Sequence, residues 1–275
     1  MSEPLLADVP PEAVALALEL HQRGQIVAWA GLRGDQVEDR PDMILVVSGR
    51  PVAWTNGVHY ARFPAAEADR EIARATDLFR RAGVPALWRV TPASRPADLA
   101  ERLQAHGWRY HDDLPFLAVE IDRIQRPSGR PDGLVIERAH DERSQAAWEH
   151  AMEHGFGMSK TESEGLFALA RRFGTDPAGP WVRFAGLVGG EAMASSGLLL
   201  HGGVAGVYNV TTVIAARRRG VGTAMTLAAI DHAAGLGYRV AVLGTSPMAR
   251  RLYEHLGFRE IVREAEYIWA PGRER

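Results

Sequence analysis

Apolar positions recur at helical spacing in three segments of the first half of the chain, which predicts helices at Pro11–Gln22, Ala65–Ala82 and Pro96–Ala105. Between them lie short runs rich in aliphatic and β-branched residues. These runs predict strands at Met43–Ser48, Val52–Phe63, Ala86–Val90 and Leu117–Ile121. Strands and helices that alternate in this way predict an α/β fold built on a mixed sheet.

The second half repeats this kind of alternation. Helical spacing predicts helices at Asp141–His154, Thr161–Phe173, Gly222–Leu236 and Pro247–Leu256. Apolar runs predict strands at Val135–Arg138, Trp181–Val188, Glu191–Leu200, Val207–Ile214 and Tyr238–Gly244. The pair Gly189-Gly190 separates two of these strands, which predicts a tight hairpin.

The composition changes between Asp122 and Gly133, where the sequence DRIQRPSGRPDG is polar and rich in proline and glycine. Such a composition is typical of a linker. We therefore predict a first domain at residues 1–126, a linker at 127–133 and a second domain at 134–275.

The chain has 275 residues, of which 46% are hydrophobic and 24% charged, as expected of a globular protein with two ordinary domains or one large one. It has no cysteine, so disulfides and a cysteine nucleophile are excluded, and no metal site is predicted.

A net charge of −2 argues against a general binder of nucleic acids or membrane surfaces. No apolar run approaches the roughly 20 residues that span a bilayer. Because residues 1–12 also lack a signal-peptide pattern, we expect a cytoplasmic protein.

The segment Thr211–Met225 combines an apolar strand, a turn that contains glycines and the start of a helix. Backbone N–H groups of such a turn and the positive end of the helix point at one place, where they favour an anion. Three arginines, Arg217 to Arg219, add positive charge beside the glycines. The sequence therefore predicts a phosphate-containing ligand at this turn.

Two familiar phosphate motifs do not fit this turn. The dinucleotide motif G-x-G-x-x-G would need a third glycine at Met225, and the lysine of a Walker turn is absent. Arg217, Gly220 and Gly222 instead match R-x-x-G-x-G, and this pattern resembles that of the GNAT acetyltransferases. The stretch Ala249–Phe258 resembles a second GNAT motif, A-x-x-L-Y-x-x-x-G-F. The resemblance extends over about residues 134–269 and implies the GNAT fold, with acetyl-CoA as cofactor and CoA as product.

The resemblance also implies which residues meet the cofactor. In GNAT enzymes the turn holds the pyrophosphate, and the strand before it splays from its neighbour and pairs with the pantetheine arm. The cofactor-binding residues implied here are Thr212, Val213, Ile214, Arg217, Arg218, Arg219, Gly220, Val221, Gly222, Thr223, Ser246 and Ala249. Ser246 is also expected to cap the helix that begins at Pro247, and Gly257 to end that helix. A helix cap alone would explain Ser246, and solvent exposure alone would explain Arg218 and Arg219.

The resemblance implies that Tyr253 is the general acid that protonates the departing thiolate. A phenol, with a pKa of about 10, carries its proton at neutral pH. Packing of Tyr253 against Ala249 and Leu256 is the alternative interpretation of this residue.

The general base and the acceptor site stay open at this stage. The strand Val207–Thr211 has no carboxylate, so Glu153, His154 or water alone could accept the proton. Residues expected near the acceptor are His150, His154, Phe156, Tyr208 and Asn209. Aromatic and amide side chains suit a small-molecule amine.

The first half carries a weak internal repeat of the second. Gln104–Arg109 ends a helix as Glu254–Arg259 does, with Leu103 at the position of Tyr253. Phe63–Ala66 stands where the phosphate turn is expected and has no glycine. We therefore predict two tandem GNAT-like domains, of which the first is degenerate and non-catalytic.

Three functions are compatible with these features. The first is an acetyl-CoA-dependent N-acetyltransferase that acts on a small-molecule amine. The second is a non-catalytic acyl-CoA-binding sensor or regulatory protein, because the strand lacks a carboxylate and the first half lacks the turn. The third, a nucleic-acid-binding module that uses Arg217–Arg219, requires strongly salt-dependent binding. The acceptor, the acyl chain length and the oligomeric state are not encoded in any motif of this sequence.

Overall fold

A computed structural model describes residues 5, 6, 10–172 and 179–272. These residues form two compact units. Unit 1 contains the described residues up to Gly24 together with Leu117–Ile261, and unit 2 contains Gln25–Phe116 and the described residues from Val262 onward. In this part of the chain, no helix has both the length and the apolar character needed to cross a membrane.

Helices and strands follow one another along the whole chain. In order they are α1 (Pro11–Arg33), β1 (Gln36–Arg40), β2 (Met43–Val47), β3 (Gly57–His59), α2 (Ala68–Ala82), β4 (Ala86–Val90), α3 (Leu99–Ala105), β5 (Arg109–Glu120), β6 (Leu134–Arg138), α4 (Glu142–Phe156), α5 (Lys160–Arg172), β7 (Trp181–Val188), β8 (Glu191–His201), β9 (Val204–Thr212), α6 (Val221–Gly235), β10 (Val240–Gly244), α7 (Arg250–His255) and β11 (Arg259–Trp269). Short 3₁₀ helices lie at Ala53–Thr55, Ile121–Arg123 and Ile214–Ala216.

Unit 2 is built on strands in the order β1-β2-β3-β4-β11. The pair β3–β4 is parallel, whereas β4 pairs with β11 in antiparallel register from Ala86–Trp269 to Val90–Ala265. Phe79, on the buried face of α2, packs edge-on against Trp108. Trp108 in turn packs edge-on against Trp88, with 5.4 Å between the ring centroids. Because aromatic side chains bury a large area each, this cluster forms the core of the unit.

Unit 1 is built on strands in the order β5-β10-β9-β8-β7-β6. The strands β6, β7, β8 and β9 are antiparallel, and β9 and β10 are parallel. Helix α6 buries Met225, Ala229 and Ala233 in one apolar cluster with Ala205 and Val207 of β9. Small residues on α6 let its backbone approach the sheet closely.

Local sequence chemistry explains several element ends. Helix α4 begins after Asp141, whose side chain accepts a hydrogen bond from Ser144 N–H at 2.8 Å in a capping box. The hairpin between β7 and β8 turns at Gly189 and Gly190, both with positive φ, as the sequence predicts.

The expected strand at Val52–Phe63 is wrong. The segment contains a 3₁₀ helix and only the three residues of β3. Asn56 explains the break, because its side-chain amide donates to the carbonyl groups of Arg50, Val52 and Pro85. These bonds fold the backbone into a turn where an extended strand was expected.

Other expected boundaries shift, and some strands have no strong signal in the sequence. Helix α1 continues through Gly24 to Arg33, well beyond the expected end at Gln22. Strand β1 and the first half of β5 are too polar to stand out, and β11 was not expected. The expected helix end at Phe173 lies outside the described residues; α5 ends at Arg172.

The compact units differ from the consecutive division at 1–126, 127–133 and 134–275. The first turns of α1 belong to unit 1, and β11 from Val262 onward belongs to unit 2. Strand pairing between residues about 180 positions apart, such as Ala86 and Trp269, decides this division. Local composition carries no information about such a pairing.

Two glycines test how tightly the backbone is packed. A Cβ on Gly57 would lie 2.3 Å from the Leu87 carbonyl oxygen, whereas one on Gly31 would meet nothing within 4 Å. We expect Gly57→Ala to lower the free energy of unfolding by about 1–3 kcal/mol, because β3 and β4 must move apart. Gly31→Ala, in the exposed part of α1, should raise it by up to about 1 kcal/mol. Urea denaturation measures both, and equal effects of the two changes would contradict this account.

Candidate functional site

Strands β9 and β10 part from each other at the centre of unit 1. Their parallel register contains the pairs Ala205–Ala241 and Gly206–Val242, although β9 continues to Thr212 and β10 to Gly244. On its other side β9 stays paired with β8 as far as Thr212. The second half of β9 therefore turns one backbone edge toward a gap, where an extended ligand can pair with it.

A β-bulge lies in this parted segment. The register between β8 and β9 shifts between Ser195 and Gly197, and Asn209 opposite them has a φ of +53°. The Ser195 hydroxyl donates a 2.8 Å hydrogen bond to the Asn209 carbonyl oxygen. The bulge changes the direction of the backbone groups that follow Tyr208. The Ser195 bond holds β9 on β8 at this point.

The turn after β9 leads into α6 through Gly220, which has a φ of +77°. The first backbone hydrogen bond of the helix joins Ala224 N–H to the Gly220 carbonyl at 3.0 Å. The N–H groups of Val221, Gly222 and Thr223 precede that ladder and point out of the helix end, where they can bind an anion.

Gly222 lies where β9, α6 and α7 come together. A Cβ at this position would lie 3.4 Å from Leu252 Cδ1 and 3.5 Å from Thr212 Oγ1. Both distances are ordinary van der Waals contacts, so a methyl group fits here, whereas a side chain longer than alanine would have to displace one of these neighbours. Thr212, Gly222 and α7 are thereby brought to one place.

The three arginines of the turn differ in their surroundings. Arg217 donates from Nε to the Thr212 carbonyl at 2.9 Å and from Nη2 to the Gly155 carbonyl at 3.0 Å. Its guanidinium thus links the end of β9 to the end of α4. Arg218, with a φ of +63°, and Arg219 are exposed and can contribute charge to a ligand at the turn.

Val213 and Ile214 continue from β9, with Ile214 exposed at the start of a 3₁₀ helix.

Tyr253 on α7 is 6% exposed and packs edge-on against Phe258. Burial raises the pKa of Tyr253 to about 12, and a hydrogen bond with Thr226 opposes the shift. Thr226 lies one turn into α6 and donates from Oγ1 to the Gly222 carbonyl at 2.9 Å. The Tyr253 hydroxyl therefore keeps its proton at neutral pH and is connected to the glycine turn through Thr226.

The expected cap at Ser246 is wrong. Helix α7 begins at Arg250 with Ala249 as its N-cap, and no side chain caps it. Residues 247–249 form a turn in which the Ser246 carbonyl accepts from Ala249 N–H and Arg250 N–H, both at 3.1 Å. The Pro247 ring fits this turn without forming a first helical residue. Gly257 follows the end of α7 with a φ of +94°, as the sequence predicts.

The end of α4 approaches the parted end of β9. A Cβ on Gly155 would lie 2.4 Å from Thr211 Oγ1, so the two backbones are close. His154 donates from Nδ1 to the His150 carbonyl at 2.9 Å, and the two rings stack with centroids 4.0 Å apart. Phe156 is 54% exposed at the helix end. These residues therefore lie at the same end of the unit as the glycine turn.

Tyr208 has a partner that the sequence did not predict. Its hydroxyl lies 2.9 Å from Nε2 of His21 on α1, and the two rings stack with an interplanar angle of 4°. Nδ1 of His21 lies 3.0 Å from the His201 carbonyl oxygen. A Cβ on Gly206 would lie 2.2 Å from His21 Nε2, so the imidazole rests directly on β9. The only signal in the sequence was the helical spacing of His21 with Val14 and Leu18.

His21 is fully buried and neutral at pH 7. Burial lowers the pKa of His21 to about 4, and nearby His201 lowers it further, against the effect of the bond to the His201 carbonyl. Because a carbonyl can only accept, Nδ1 carries the proton of the neutral ring and Nε2 accepts from the Tyr208 hydroxyl.

Asn209, the neighbour of Tyr208, has its side chain close to Gly197 of β8.

Comparison with known proteins bears on the fold and on the family that the chain resembles. Residues 123–253 match the family model for an acetyltransferase (GNAT) domain. The chain is similar to the structure of a GCN5-related N-acetyltransferase from Kribbella flavida, with 19% identity, a TM-score of 0.72 and 97% of each chain covered. It is also similar to a GCN5-related N-acetyltransferase from Sphaerobacter thermophilus, with 16% identity, a TM-score of 0.65 and coverage of 95% of this chain and 94% of that one.

A third similar structure is a tandem GNAT protein from the clavulanic acid biosynthesis pathway, with 16% identity, a TM-score of 0.60 and coverage of 84% of this chain and 78% of that one. No significant match to a curated protein sequence was found. The fold is that of the GNAT acetyltransferases. The family model matches the residues that contain the glycine turn and Tyr253, so the resemblance predicted from the motifs is confirmed.

The buried His21 makes stability depend on pH. Between pH 6.5 and about 4 the unfolded chain binds a proton at His21 that the folded chain does not, so stability falls as the pH is lowered through this window. The total effect is about 3 kcal/mol. His21→Gln cannot bind this proton, and its stability should fall less steeply. Urea denaturation of both proteins at several pH values measures the difference, and parallel curves would contradict the assignment of a neutral His21.

Proposed function

We propose that this protein is an acetyl-CoA-dependent N-acetyltransferase that acetylates the amine of a small molecule at the site in unit 1. One observation carries the proposal: the free edge of β9 runs into a glycine turn that starts α6, beside the protonated Tyr253 hydroxyl. An extended thioester ligand with a pyrophosphate can use a backbone edge for its extended arm, an anion site for its pyrophosphate and a proton donor for its leaving sulfur.

The residues of the turn fit the cofactor. The N–H groups of Val221, Gly222 and Thr223 would bind the pyrophosphate, and exposed Arg218 and Arg219 would add positive charge. Backbone groups of β9 between the bulge and Thr212 would pair with the pantetheine arm. When bound, acetyl-CoA supplies an acetyl thioester that an amine can attack.

Tyr253 holds a proton where charge develops on the leaving sulfur. Its raised pKa keeps the hydroxyl protonated, so it is a hydrogen-bond donor throughout the neutral range. Thr226 contacts this hydroxyl from α6, and because its own proton goes to the Gly222 carbonyl, Thr226 Oγ1 would accept the Tyr253 proton until the thiolate competes for it. The Tyr253 Oη proton would stabilise, and finally neutralise, the thiolate.

The corresponding turn of unit 2 lacks the features of an anion site. Pro64 has no N–H group, neighbouring Phe63 is buried, and residues 63–66 contain no glycine. Glu71 in the first turn of α2 is already paired with Arg40 and Arg74. We therefore propose that the first half has a structural role.

The decisive experiment is a test of acetyl-CoA turnover. Free-thiol release is measured with amino acids, polyamines, aminoglycosides and small aromatic amines as acceptors, and CoA affinity is measured by calorimetry. We expect CoA binding and thiol release that depends on one class of amine. Binding without turnover on any amine would favour an acyl-CoA sensor, and failure to bind CoA would refute both functions.

Tyr253→Phe separates chemistry from binding. The variant keeps the ring that packs on Phe258 and removes only the proton donor, so we expect kcat to fall about 100-fold. The Kd for CoA should stay within about twofold. Tyr110→Phe, an exposed tyrosine of unit 2, is the matched control and should leave both values unchanged. Unchanged turnover in Tyr253→Phe would exclude the general-acid role.

A further inference from the structure

Arg217 lies where the end of β9, the end of α4 and the glycine turn meet. Its Nε donates to the carbonyl of Thr212, the last residue of β9, at 2.9 Å. Its Nη2 donates to the Gly155 carbonyl in the last turn of α4, at 3.0 Å. Both distances are those of well-formed N–H···O hydrogen bonds. The motif implied that Arg217 meets the cofactor, and in the structure its bonds go to two backbone carbonyls of unit 1.

The Thr212 carbonyl lies on the edge of β9 that faces away from β8. Val213 N–H donates to the Met193 carbonyl at 2.8 Å, so these two residues form a hydrogen-bonded pair. Hydrogen-bonded and non-hydrogen-bonded pairs alternate along antiparallel strands, so Thr212 and its partner Ala194 form a non-hydrogen-bonded pair. The N–H and carbonyl of Thr212 therefore point to the open edge of β9, and Arg217 occupies the carbonyl.

The Gly155 carbonyl is at the negative end of a helix. It is one of the last four carbonyls of α4, which have no regular partner within the helix and carry its partial negative charge. A Cβ on Gly155 would lie 2.4 Å from Thr211 Oγ1, so the α4 backbone lies against β9 here. The Arg217 guanidinium thus satisfies the helix end and fastens it beside the last residues of β9.

The two atoms that Arg217 uses also bear on phosphate binding. Nε and Nη2 form one edge of the planar guanidinium, and through such an edge an arginine holds a phosphate with two parallel bonds. In Arg217 both atoms of this edge donate to carbonyls. In the described part of the chain, the guanidinium groups of Arg218 and Arg219 have no such bonds.

We propose that Arg217 is a positioning residue for acetyl-CoA and not a ligand of its phosphates. By occupying the Thr212 carbonyl, Arg217 ends the open edge of β9, so the Thr212 N–H is the last group on this edge that an extended arm can pair with. The position of this last group relative to the glycine turn determines where a thioester lies with respect to Tyr253. This inference rests on the proposed acetyltransferase function.

Turnover at saturating acetyl-CoA and amine, measured beside calorimetric binding of CoA, tests the inference. Arg217→Met removes both bonds at a similar side-chain length. We expect its kcat to fall about tenfold because the thioester is less well placed, with the Kd for CoA unchanged within about twofold. Arg217→Lys keeps the charge and one donor atom, and should recover part of the lost kcat.

Arg218→Met and Arg219→Met are matched changes at the next two positions. We expect each of them to raise the Kd for CoA about threefold, because exposed charge at the turn adds to phosphate binding. Arg109→Met, at an exposed arginine of unit 2, controls for loss of an arginine in general and should change neither kcat nor Kd.

Different failures have different meanings. A Kd for CoA raised about tenfold in Arg217→Met, with unchanged kcat, would make Arg217 a phosphate ligand and overturn the inference. Wild-type values of both would also overturn it and leave the proposed function intact. Parallel losses of kcat, CoA affinity and melting temperature would assign Arg217 a structural role alone, which also contradicts the inference. If the wild-type protein releases no thiol with any amine, the proposed function fails and this inference fails with it.

Discussion

The site depends on the separation of β9 from β10 while β9 remains paired with β8. Two groups of contacts hold β9 in this position. Ser195 bonds to the carbonyl of the bulge at Asn209, and Arg217 bonds to the carbonyls of Thr212 and Gly155. A strand with one unpaired edge is costly unless its other contacts fix it. The end of β9 is therefore held beside the glycine turn and the end of α4 by specific contacts, while α6 and Tyr253 are held by the apolar core of unit 1.

Local sequence predicted the parts of the site that local geometry determines. Gly220 and Gly222 identify a turn because no other residue combines positive φ with close backbone approach so easily. The apolar strands and α6 follow from hydrophobic runs that are long enough to stand out. The prediction of Ser246 as a helix cap was wrong because a Ser-Pro pair is equally suited to begin a turn. Ser246 and Pro247 begin such a turn here.

Contacts between distant residues could not be read from the sequence. His21 and Tyr208 are 187 positions apart, and nothing in either segment identifies the other as its partner. Strand β1 is an edge strand with polar residues, and β5 begins with polar residues, so the usual period of two is hidden in both. The pairing of β4 with β11 likewise depends on tertiary packing alone.

That last pairing affects how the protein can be made. On the ribosome, residues 25–116 emerge long before Tyr267 and Trp269, which are buried in the same apolar core. Until β11 is synthesised, β4 has an open edge and the aromatic cluster lacks two of its rings. Residues 25–116 therefore cannot complete their apolar core until β11 has been synthesised. During this delay they are exposed to misfolding and to chaperone binding.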